Sequence, residues 1–84
     1  MFERLFSPVK IGKMELKNRI ILPALHLGYT PKGAVNDRLI EFYKERALGG
    51  AALLIVGGAY VDKLGTGGPG FLAVDDDSYI EGYR

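Results

Sequence analysis

Two short apolar runs, Ile20-Ile21-Leu22 and Ala51-Ala52-Leu53-Leu54-Ile55-Val56, flank one well-marked helix, and that order leaves few folds open. Neither run alternates polar with apolar residues. A run without alternation suits a strand covered on both faces, as in a parallel sheet. Between the runs, Leu39, Ile40, Tyr43 and Ala47 fall at i, i+1, i+4 and i+8 and make one apolar stripe. Asn36 is a good N-cap, and Asp37 puts a carboxylate in the first turn, where the helix dipole favours it. Gly49-Gly50 supplies a left-handed stop, so the helix is expected at about 37–48. Strand, helix and strand with a short helix-to-strand turn form a βαβ unit, whose two strands run parallel.

The remaining segments are read around this unit. Residues 5–16 predict a hairpin: Val9 and Ile11 alternate with Lys10, Gly12-Lys13 is a two-residue turn, and Met14 and Leu16 alternate with Glu15. Lys17-Asn18-Arg19 is a polar break. Residues 23–36 form a long connection with two prolines and two glycines, and residues 57–74 a second, Gly-rich loop. Loops of this length in a compact domain are functional or mobile. Asp75-Asp76-Asp77 resembles a helix cap, and Ser78 to Arg84 reads as a second helix only starting. The chain is therefore expected to be cut off in mid-element.

Composition narrows the function classes. Eleven basic against ten acidic residues give a net charge of +1, which offers no electrostatic case for nucleic acid or an anionic membrane. No apolar run approaches the roughly 18 residues of a membrane span. No cysteine is present, so there is no disulfide framework and no thiolate site in this chain. The start, Met1 to Lys10, lacks the apolar core of a signal peptide, and a cytoplasmic location is the expectation.

Several residues invite chemistry, each with a plain alternative. Gly65-Thr66-Gly67-Gly68-Pro69-Gly70 matches G-x-G-x-x-G as a string, but the dinucleotide fingerprint needs it between a strand and a helix. The run before it ends near Val56, and Pro69 removes an N–H from any cradle, so a flexible loop over a pocket is the reading preferred. His26, the one histidine, follows the first apolar run, where α/β folds place ligands; a structural or solvated role is the alternative. Gly57-Gly58 either terminates the second strand or lets a flat or phosphorylated ligand come close to the backbone. Asp75, Asp76 and Asp77 read as a solvated cap rather than a cation site, and no metal site is expected. Tyr29 and Tyr60 lie in the two strand-to-helix loops and are set apart from the core aromatics.

An ordered series of strings resembles the old yellow enzyme family of FMN-dependent ene reductases. It begins with Leu5-Phe6-Ser7-Pro8, Ile11-Gly12 and Leu16-Lys17-Asn18-Arg19-Ile20. It continues through Phe42-Tyr43-x-Glu45-Arg46-Ala47-x-Gly49-Gly50 and Leu53-Leu54-Ile55-Val56-Gly57-Gly58. It closes with Asp76-x-x-Tyr79-Ile80-Glu81-Gly82-Tyr83. Leu25-His26-x-Gly28 and Val56-Gly57-Gly58 look most like the 2,4-dienoyl-CoA reductase branch.

The resemblance implies a partial (β/α)8 barrel over residues 1–84, made of an N-terminal hairpin closing the barrel bottom, the first two strands and the first helix. A whole barrel takes about 250 residues. It implies FMN seated on the backbone of Pro23, Ala24, Leu25 and His26, with Gly58 against the ring and His26 tuning the flavin. Pro23 and Ala24 reverse the family's small-residue-then-Pro order. NAD(P)H is the implied reductant and an activated alkene, of enone or enoyl-CoA type, the implied acceptor. The family's substrate-anchoring pair, proton donor and phosphate-binding loop, and the iron–sulfur cluster of its larger members, would lie outside this chain. The expected partners are the rest of the barrel or other copies of the chain, because two strands and one helix leave strand edges and an apolar stripe open. The alternative is a stand-alone, non-catalytic structural or interaction module derived from such a barrel.

Overall fold

In the computed structural model, which describes residues 2–84, strands β1 (Val9–Ile11) and β2 (Met14–Leu16) form the expected hairpin. They are antiparallel, with Val9 opposite Leu16 and Ile11 opposite Met14. Only Leu16 of the hairpin is buried. The polar break after it has a structural task. The Asn18 amide donates to the Gly50 carbonyl at 2.7 Å, and its side-chain oxygen accepts from the Ile20 N–H at 2.9 Å. One buried side chain thus ties the end of the helix to the start of the next strand. Asn18→Ala leaves the Gly50 carbonyl and the Ile20 N–H without this partner. The expected loss is about 1–3 kcal/mol, read as a lower urea midpoint of the full-length protein.

Strand β3 (Ile21–Leu22) and strand β4 (Leu53–Leu54) pair in parallel, Ile21 with Leu53 and Leu22 with Leu54. Flanking bonds, Ala52 N–H to Ile20 O and Ile55 N–H to Leu22 O, both 3.0 Å, carry the ladder to the edges of the apolar runs. The expected cover on both faces is not met within this chain. Ile21, Ile55 and Val56 are 42%, 44% and 46% exposed, because two strands and one full helix cannot enclose a sheet.

Helix α1 spans Asp37–Leu48, as the pattern predicts. The Asn36 side chain accepts from the Leu39 N–H at 3.0 Å and donates to the Tyr29 carbonyl at 2.7 Å, so the cap also anchors the preceding loop. The left-handed residue at the other end is Gly50, at φ +114°, while Gly49 stays helical at φ −72°. Gly50 N–H bonds Ala47 O and Ala51 N–H bonds Arg46 O, the paired bonds of a Schellman cap.

Residues 57–74, expected as a loop, hold a second parallel pair. Strand β5 (Ala59–Tyr60) meets strand β6 (Leu72–Ala73), with a 3₁₀ turn at Lys63–Gly65 between them. Two-residue strands carry no readable period, so the pairing is silent in the sequence. Its effect on packing is large, since Leu72 and Ala73 join Leu16 and Leu39 as the buried apolar residues among those described. Asp76 occupies the cap position of the closing turn, Asp77–Tyr79, which runs into the single-turn helix α2 (Ile80–Tyr83). Its carboxylate accepts from the Ser78 hydroxyl at 3.0 Å instead of a backbone N–H.

The Cα radius of gyration is 15.1 Å, against about 12 Å for a compact domain of this length. Among the described residues, no helix is long and apolar enough to cross a membrane.

Candidate functional site

The chain leaves β3 at Pro23, and Pro23, Ala24, Leu25 and His26 are all exposed. Among the described residues, no backbone hydrogen bond occupies the N–H groups of Ala24, Leu25 or His26. The N–H groups of this exposed segment thus lack backbone partners. Gly57, just past β4, packs directly on this segment. A β-carbon there would fall on the Leu25 carbonyl oxygen and 2.9 Å from its carbon. The Gly57 N–H donates to the Tyr43 hydroxyl of α1 at 3.3 Å, which fixes the post-β4 backbone to the helix.

The His26 imidazole stacks on the Phe71 ring, with centroids 4.0 Å apart and planes 29° apart. Phe71 also reaches the second loop's glycines. A β-carbon on Gly58 would lie 3.3 Å from its Cε2, and one on Gly67 would lie 2.8 Å from its Cζ. The two loops are clamped at Thr30, which is 2% exposed. Its hydroxyl donates to the Gly70 carbonyl at 2.8 Å. Gly70 itself sits at φ +78°, with its α-carbon face against Gly28.

Leu25, His26 and Gly58 are thus brought together, along with Gly57, Gly70 and Tyr43, around a cavity of about 20 Å³. That is room for about one water molecule. A flat heterocycle cannot enter it. Pro23 and Ala24 lie next to this group but do not line the cavity.

Sequence reasoning does not single out three participants for this site: Phe71, Tyr43 and Thr30. The signal for Phe71 is the apolar run Phe71-Leu72-Ala73-Val74 inside a glycine-rich segment. Tyr43 belongs to the helix stripe and to a family string, and nothing in the sequence marks its hydroxyl. The string 65–70 lies between a 3₁₀ turn and β6, not between a strand and a helix, so it forms no dinucleotide cradle. Tyr29 turns to α1, where its ring lies under the Arg38 guanidinium at 4.1 Å. Tyr60 lies in β5 beside Gly33 and Tyr79. Partial desolvation, then the neighbouring Tyr79 and Asp75, raise the Tyr60 hydroxyl above the usual tyrosine range. Desolvation likewise raises Tyr83, whose hydroxyl donates to the Ala73 carbonyl at 2.9 Å. Both phenols stay neutral at physiological pH and act as hydrogen-bonding groups. Among the described residues, no three His, Asp or Glu side chains converge on a metal position.

Comparison with known proteins shows the family to which the chain is similar. A metal reductase of Desulforamulus reducens is 54% identical over 80 residues, covering 95% of this chain and 12% of that protein. A cinnamate reductase of Clostridium sporogenes is 43% identical over 64 residues, covering 74% of this chain and 10% of its own length. A solved 2-naphthoyl-CoA reductase complex superposes with a TM-score of 0.93 at 36% identity, over 98% of this chain and 13% of the other. The chain therefore spans only a small part of these relatives. The model of the NADH:flavin oxidoreductase / NADH oxidase family matches residues 4–84. The chain belongs to that family, the one its ordered motifs resemble.

Proposed function

We propose that this chain is one part of an FMN-dependent oxidoreductase that moves hydride from NAD(P)H to an activated alkene, of enone or enoyl-thioester type. The observation that carries the reading is the exposed backbone of Pro23 to His26, with N–H groups free at Ala24, Leu25 and His26, set beside the bare Gly58. Such a surface fits the polar edge of a flat heterocycle, and the lack of a side chain at Gly58 permits close approach. Bound FMN would supply the redox chemistry, taking hydride from the nicotinamide and passing it to the alkene.

The chain's own residues orient and enclose. Ala24, Leu25 and His26 offer main-chain donors. Gly57, braced by Tyr43, backs the Leu25 carbonyl and holds that donor row in place. His26 presents an imidazole whose nitrogens are free to meet a ligand. The fold proposed for the whole protein is a (β/α)8 barrel with β1–β2 at its bottom. The half-exposed Ile21, Ile55 and Val56 support this reading over a stand-alone module, because they await further strands and helices. The cinnamate reductase relative supports an alkene acceptor.

The test is to strip the full-length protein of small molecules and titrate it with FMN. Saturable binding near one flavin per chain, with a yellow protein, is expected. A protein that stays colourless and binds no FMN overturns the proposal.

A further inference from the structure

We propose that Phe71 is a positioning residue for this site, and that the bare backbone of Gly58 and Gly67 is the slot that seats its ring against His26. The inference rests on the flavin reading for its consequence, but its geometry stands without it.

His26 has a problem of orientation. Its side chain is exposed, and among the described residues no hydrogen bond from another group fixes its ring. An exposed imidazole without partners turns freely about its two side-chain torsions. Here one contact opposes that freedom: the stack on Phe71 at 4.0 Å and 29°. A β-carbon built on Gly28 would stand 3.8 Å from the His26 Nε2. Neither ring nitrogen has a hydrogen-bond partner among the described residues, while the stack on Phe71 sets the ring plane.

Phe71 is in turn held by bare backbone. Its Cε2 lies 3.3 Å from the β-position of Gly58 and 2.9 Å from that of Gly67. A side chain at Gly67 would collide with the ring, and one at Gly58 would press on it. Gly70, one residue before Phe71, is pinned by Thr30 through its carbonyl. Gly67 within the string, and Gly58 before it, leave space for an aromatic ring, and that ring sets the plane of the imidazole.

The experiment uses the full-length protein with F71L, F71Y and G67A, each alone and combined with H26A. F71L keeps apolar bulk but removes the ring; F71Y keeps the ring; G67A pushes the ring aside without deleting it. In flavin-free protein, the His26 ring protons, assigned by their loss in H26A, should show an upfield ring-current shift in NMR spectra of the parent and F71Y. The shift should vanish in F71L and shrink in G67A, so the result survives if F71L fails to fold. FMN affinity should fall about three- to tenfold in F71L, the size of one aromatic contact, and F71Y should restore it. In the H26A background F71L should add little. His26 protons at the same shift in parent, F71L and G67A would overturn the proposal, as would an F71L loss of full size in H26A. If the parent binds no FMN, the flavin reading fails and the ring-current shift alone decides whether Phe71 orients His26.

Discussion

Gly70→Ala should destabilise the full-length protein by about 3–4 kcal/mol and lower its FMN occupancy with it. Two separate effects add at this position. The backbone is left-handed, at φ +78°, which costs an L-residue with a β-carbon about 1–2 kcal/mol. The new methyl would also stand 2.7 Å from the Gly28 Cα and 2.8 Å from its carbonyl carbon and oxygen. Those are backbone atoms and cannot swing away like the tip of a side chain. Either Gly28 moves, carrying the His26 segment, or Gly70 moves, stretching both of its bonds from Thr30. Gly65→Ala is the internal control from the same string, since nothing lies within 4 Å of its β-position. It should leave the thermal midpoint within about a degree, through its small effect on the unfolded chain. Equal thermal midpoints for the two variants would show that the Gly28–Gly70 approach carries no energetic weight.

Gly57→Ala should cost about 3 kcal/mol by overpacking alone. Its backbone needs no left-handed geometry, so the penalty is purely one of space. The added methyl would overlap the Leu25 carbonyl, in the middle of the row proposed to face the flavin. Relief requires β3 and β4 to separate beyond their last paired residues, Leu22 and Leu54, or Gly57 to pull away from the Tyr43 hydroxyl. Tyr43→Phe separates these two outcomes. If the methyl is relieved on the Tyr43 side, the double variant is hardly worse than Gly57→Ala alone, because the hydrogen bond is already gone. If it is relieved on the strand side, the two losses add. Denaturant midpoints of the two single variants and the double variant provide the measurement. A Gly57→Ala protein as stable as the parent, with unchanged FMN affinity, would remove Gly57 from the site.

The elements legible in the sequence are those with a period or a cap. Helix α1 and its Asn36 cap were readable because a 3.6-residue stripe and a polar cap are local signals. The β1–β2 hairpin was readable because two alternating triplets bracket Gly12. The β5–β6 pair was not, since Ala59–Tyr60 is no apolar run and follows directly on Gly57-Gly58, which reads as the end of the preceding strand. The site divides in the same way. Leu25, His26 and Gly58 stand at strand ends, where topology and family resemblance direct attention. Phe71, Thr30 and Tyr43 act through contacts across the fold, and only the structure brings the Phe71 ring onto His26 or the Thr30 hydroxyl onto the Gly70 carbonyl.

The clamp between Thr30 and Gly70 joins residues 40 positions apart. Closing so long a loop is entropically costly, and contacts of that range form late relative to hairpins and helices. The hairpin and α1 rest on local contacts and can form first, but the imidazole stays unstacked on an open strand end until the second loop docks. Competence for the proposed flavin binding would therefore come late in the folding of this chain, set by when residue 70 reaches residue 30 and not by when the helix is made.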